Sequence, residues 1–124
     1  MKRTPLRAIG KRGRERQRQS SMNRLLRELW RSGLGPCAMG PNGCDGHVDA
    51  HHIVKRQTLR THGHQIEEWN LANRLPLCRA HHEAHHSGAN PVPRILLPAS
   101  VFEFADDLGL GWWVDRHYPE SVAA

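Results

Sequence analysis

Long apolar runs are absent from this 124-residue sequence: none exceeds three residues, as at Ile95-Leu96-Leu97 and Trp112-Trp113-Val114. A membrane-spanning helix needs roughly 18 apolar residues, so a membrane protein is excluded as an expectation. Aromatic residues are scarce at 6%, and apolar residues of all kinds reach only 38%. A chain this short and polar suits one small domain with short appendages, and such cores commonly lean on a metal or disulfide staple. The basic start at Met1-Lys2-Arg3 is followed by no apolar stretch, which predicts no secretory signal and a cytoplasmic, reducing environment. Cysteine is also too rare for a disulfide scaffold. Cys37, Cys44 and Cys78 cannot all pair within one chain, and metal ligation is the better use for them.

Lysine is scarce as well. Of eighteen basic residues fifteen are arginine, whose planar fork suits phosphate. Eleven of the eighteen fall in residues 1–31 against only Glu15 and Glu28, a local charge of +9, which leaves −3 for the rest. A basic segment on a slightly acidic body is a polyanion-binding footprint, here Arg12, Arg14, Arg16, Arg18, Arg24, Arg27 and Arg31. A solvated tail that only aids solubility would carry the same charge.

Patterning divides the chain into three. Residues 1–20 lack an apolar period and read as a basic arm or frayed helix. Met22, Leu25, Leu26, Leu29 and Trp30 then recur at helical spacing, with Ser20 or Ser21 as cap and Ser32-Gly33 as stop. Arg24, Arg27 and Arg31 lie off that stripe and face either nucleic acid or plain solvent. Within residues 21–90, a short strand is expected in 47–54 and a long loop over 55–70. A second strand near 74–77, held at an edge by Pro76, and a helix over 79–86 complete this part. In residues 91–124 a helix carries Val101, Phe104, Ala105 and Leu108 on one face. The acidic balance there predicts packing over the core, or a partner surface, rather than contact with a nucleic-acid backbone.

All the histidines but His117 fall between His47 and His86, a window that also holds Cys78 and begins just after Cys44. Two ligand sets can be drawn from them. Cys37 and Cys44, with Cys78 and His81 separated by two intervening residues, supply a closed Cys3His site for structural zinc. Buried unligated thiols would need more apolar flanks than Gly, Pro and Asn provide. His82 and His86 stand at i and i+4, so one helix face can hold a single ion between them, with His85 as a weaker competitor. His51 and His52 are adjacent on an extended segment and point to opposite faces, so one can bind the ion while the other stays free to accept a proton. His47, His62, His64 and His117 lack ligand spacing and read as surface residues.

These residues resemble a known family. His51-His52-Ile53, Asn73 and His82 are similar to the HNH nuclease motif. The segment from Asn73 to His82 resembles its Asn-Leu-x-x-Leu-Cys-x-x-Cys-His pattern, with Arg74 after the asparagine and His81 in place of the second cysteine. The paired upstream histidines and His82-x3-His86 are similar to the colicin-type variant. The resemblance spans about 37–88 and implies a small α+β fold. Its core would be a ββα-metal (His-Me finger) unit over about 45–88, with an N-terminal helix and a C-terminal helical appendage. It implies that His51, His82 and His86 bind the catalytic divalent ion, that His52 is the general base, and that Asn73 braces the loop, with Asp49 less suited to ligation. The implied activity is metal-dependent DNA endonuclease or nickase cleavage of double-stranded DNA to 5′-phosphate and 3′-hydroxyl ends. Mg, Mn, Ni, Co or Zn could be the ion, and a bacteriophage DNA-packaging partner fits the analogy. The rival expectation is a non-catalytic, zinc-stabilised DNA-binding or packaging accessory protein. Oligomeric state, and hence nicking or double-strand cutting, is left open.

Overall fold

A Val-Asp-Ala-His stretch on one side and a Leu-Pro-Leu-Cys stretch on the other form the only sheet among the described residues. In the computed structural model, which describes residues 10–120, β1 (Val48–His51) pairs antiparallel with β2 (Leu75–Cys78). The register places Val48 opposite Cys78 and His51 opposite Leu75. A helix, α3 (Arg79–Ser87), leaves β2 directly and ends at Gly88, whose φ of 81° is the left-handed cap that favours glycine. The result is a small α+β fold with five α-helices among these residues, and no helix is long and apolar enough to cross a membrane.

Three expectations are corrected. Of the two readings for residues 11–20, arm or helix, the helix holds: α1 runs unbroken over Lys11–Arg31 with Gly10 at its start, so neither Ser20 nor Ser21 caps it. Arg, Gln, Glu and Lys are good helix formers, and Gly13 alone interrupts them without stopping the turn. Residues 1–9 of the expected arm lie outside the described residues. The expected loop over 55–70 contains α2 (Arg56–Thr61) and a 3-10 turn at Gln65–Glu67. The first strand is shorter than 47–54, because Ile53 and Val54 leave the sheet to enter the core.

The core takes in the segment that follows α3 and leaves most of α1 outside it. Ile53, Val54, Leu59, Leu75 and Leu77 pack in one cluster with Val92, Leu97, Val101, Phe104, Leu110, Trp113 and Tyr118. Most of that cluster comes from the C-terminal segment, through α4 (Ala99–Asp107) and α5 (Gly111–His117), so the segment is part of the core. By contrast, the apolar stripe of α1 stays exposed at Met22, Leu25, Leu26 and Leu29, and only Trp30 is buried. What ties α1 down is Arg74. Its guanidinium donates to the carbonyls of Trp30 at 2.8 Å and Ser32 at 2.6 Å, groups left without helical partners at the end of α1.

Candidate functional site

The loop between α1 and β1 brings its cysteines to the start of α3. Cys78 caps α3, its Sγ accepting the His81 amide, and the first turn then places His81 beside it. His81 Nδ1 lies 3.4 Å from Cys37 Sγ, 3.6 Å from Cys44 Sγ and 3.0 Å from Cys78 Sγ. Tetrahedral zinc with ordinary Zn–S and Zn–N bonds separates such atoms by about 3.6 Å. The Cys3His cluster is therefore compatible with a structural zinc. Gly40 makes the approach possible, since a Cβ there would meet Cys44 Sγ at 3.0 Å and the Cys37 carbonyl at 3.2 Å. The cluster joins the loop, β2 and α3, and it sits among small and turn-forming residues that bury little apolar surface of their own.

A second group forms where β1 ends beside α3. One ligand-capable nitrogen from each of His51, His82 and His86 lies within 4.8 Å of the others. Helical spacing places His82 and His86 on one face, with Nε2 atoms 3.0 Å apart, and the buried His51 ring stands edge-on at 5.1 Å from His82 and 5.5 Å from His86. His85 is equally near His51, at 4.9 Å, yet stays outside the group. Its Nδ1 lone pair accepts the Val92 amide at 2.9 Å, which leaves a protonated Nε2 with nothing to offer a cation. Asp49 is outside the group as well, and its Oδ1 lies 3.0 Å from His47 Nε2.

His52 lies on the other side of β1, as adjacent residues of an extended chain must. It is in ring contact with none of the three. Instead it stacks on Trp30 at 4.0 Å and approaches Trp69 at 5.4 Å, with Nε2 3.0 Å from the Glu68 carbonyl. A carbonyl only accepts, so Nε2 carries the proton and Nδ1 keeps the lone pair. Asn73, fully buried, accepts the Val54 amide at 2.7 Å and donates to the Val54 carbonyl at 3.0 Å, fixing the chain two residues beyond His52.

Burial, reinforced by His85, His82 and His86, pushes the His51 pKa down to about 2. Burial also lowers His52 to about 4, with the Glu68 carbonyl opposing it. Both imidazoles are neutral at pH 7 and available as ligand or base. Below about 6.5 the unfolded chain takes up protons that these folded histidines refuse, so their stabilisation is full above that pH and lost as pH falls. Between pH 6.5 and 5, wild type should lose about 1 kcal/mol more unfolding free energy than His52→Phe, allowing for partial solvent screening. Denaturant titrations at the two pH values measure this, and an equal loss in both proteins would contradict it.

The predicted basic residues are divided by α1. Arg16, Arg24 and Arg27 line a cleft of ≈ 490 Å³ with Arg56, Arg60 and Trp69. Arg14 and Arg18 border a different groove beside Met22 and Leu25, while Arg12 and Arg31 are exposed outside the cleft. Glu68, buried beneath, pairs with Arg56 at 3.5 Å and with Arg60, and Arg56 also lies over the Trp69 ring at 4.9 Å. Sequence reasoning missed Arg56, Arg60, Glu68, Trp30 and Trp69. The i, i+4 arginines within a proline-free stretch were the one available signal. No protein-family model, curated protein or solved structure matches the chain.

Proposed function

We propose that the protein is a metal-dependent DNA endonuclease or nickase of the HNH type. Its ββα-metal core would be β1, β2 and α3, stapled by zinc at Cys37, Cys44, Cys78 and His81. The carrying observation is the convergence of His51, His82 and His86 from two elements onto one point. A divalent cation held there would neutralise phosphodiester charge and stabilise the departing 3′ oxygen. Imidazole ligands suit Zn, Ni, Co or Mn better than Mg. His52 supplies the base: Nδ1 takes a proton from water as the water oxygen bonds to phosphorus and the bond to the 3′ oxygen breaks. Asn73 holds the chain that carries His52. The cleft arginines meet the phosphates of double-stranded DNA, and a cytoplasmic role beside a phage packaging machine belongs to the same proposal.

The placement of His52 away from the three histidines favours a second reading, a zinc-stabilised DNA-binding accessory protein that does not cut. Supercoiled plasmid with Mn²⁺ or Ni²⁺ separates them. The nuclease reading expects nicked or linear product from wild type and none from His82→Ala at equal DNA affinity. Wild type that binds DNA but leaves it intact with every ion supports the accessory reading.

A further inference from the structure

Tyr118 follows α5, far along the chain from the motif residues, yet it is buried against them with 3% of its surface exposed. Its oxygen lies 2.9 Å from His51 Nε2, 3.3 Å from the Ile53 carbonyl and 3.4 Å from His85 Nε2. The proton positions follow from the partners. The Ile53 carbonyl can only accept, so all three contacts are hydrogen bonds together only when the phenol donates its one proton there. His85 Nδ1 already accepts the Val92 amide, so His85 Nε2 is a donor toward the phenol. The phenol oxygen then has two lone pairs for two N–H groups, one from His85 and one from His51.

His51 is therefore held with its proton on Nε2, and Nδ1 is left as the only lone pair it can offer. We propose that Tyr118 is a positioning residue for the cation site, one that fixes the tautomer and ring orientation of His51 so that Nδ1 meets His82 and His86. An outer partner of this kind raises metal affinity by selecting the ligating form of the imidazole before the ion arrives. The role brings the C-terminal segment into the site, since α5 presents the tyrosine. The Tyr118 amide donates to Val114 at 2.8 Å, and Arg94 holds the Tyr118 carbonyl at 2.9 Å and Asp115 at 2.9 Å.

The inference rests on reading the three histidines as a cation site, and the test keeps the two apart. Ni²⁺ is titrated calorimetrically into zinc-loaded wild type, Tyr118→Phe and His82→Ala, and long-range proton–nitrogen NMR reports the His51 tautomer before Ni²⁺ is added. Phenylalanine keeps the packing and removes only the oxygen. The expected result is a single Nε2–H tautomer in wild type, a mixture in Tyr118→Phe, and Ni²⁺ affinity 10- to 100-fold weaker in that variant, with zinc content unchanged. Equal affinity in wild type and Tyr118→Phe overturns the role of Tyr118 alone. If wild type takes up no Ni²⁺, the cation site itself fails, and the positioning role with it. Should Tyr118→Phe not fold, the wild-type tautomer still decides, because a proton on Nδ1 overturns the proposal.

Discussion

Replacing Cys78 by serine is expected to abolish cooperative folding, leaving a chain without bound zinc and without a thermal transition. Cys78 is fully buried, caps α3, and lies 3.0 Å from His81 Nδ1. A serine hydroxyl is a poor zinc ligand, so the substitution removes a quarter of the coordination sphere. Structural zinc sites supply apparent binding free energies of about 10–16 kcal/mol, comparable with the whole stability of a domain, roughly 5–15 kcal/mol. The apolar core offers this loop only partial support: Cys37, Ala38 and Met39 pack against its edge and the Ala38 amide donates to the Pro76 carbonyl, while the cluster gathers the two loop cysteines onto β2 and α3. Circular dichroism with zinc counting measures the outcome. A variant that melts cooperatively with full zinc content would show that the cluster is not a staple.

The second large effect concerns His52. In the proposed nuclease, His52→Ala should slow cleavage by about 10²- to 10⁴-fold, the range typical of losing a general base, while Ni²⁺ binding is retained. Alanine also removes the ring that covers Trp30, whose indole nitrogen has no hydrogen-bond partner among the described residues. His52→Phe is the control for that packing, since it restores a ring on Trp30 and no lone pair. Equal loss in both variants, measured by plasmid cleavage under saturating metal, assigns the defect to proton transfer. Recovery of activity in His52→Phe would mean that His52 serves the fold and that another group activates water.

Much of the ligand chemistry is legible in the chain because it is local. Cys78 with His81, and His82 with His86, are set by one helix turn each, and opposite facing of His51 and His52 follows from extended backbone. The antiparallel pairing that brings Cys37 and Cys44 to the same helix also needs only two short strands. What is not legible depends on contacts between distant segments. Nothing in the spacing announces that Arg74 will seize the end of α1, that Trp30 will lie under His52, or that Tyr118 will reach His51. The arginine-rich stretch misleads for another reason: its composition resembles a disordered arm, while its residues individually favour helix. Spacing alone already favours His86 over His85 as the partner of His82, and the grouping agrees, but the reason His85 is set aside, the Val92 amide on its Nδ1, comes from beyond the helix.

The neighbouring histidines His51 and His52 are gripped from opposite ends of the polypeptide, one by Tyr118 and the other by Trp30. A fragment trimmed to residues 37–88 would carry every ligand of both groups and lose both of these grips. Transplanting that stretch onto another scaffold should accordingly transfer the zinc clasp with far less of the histidine geometry.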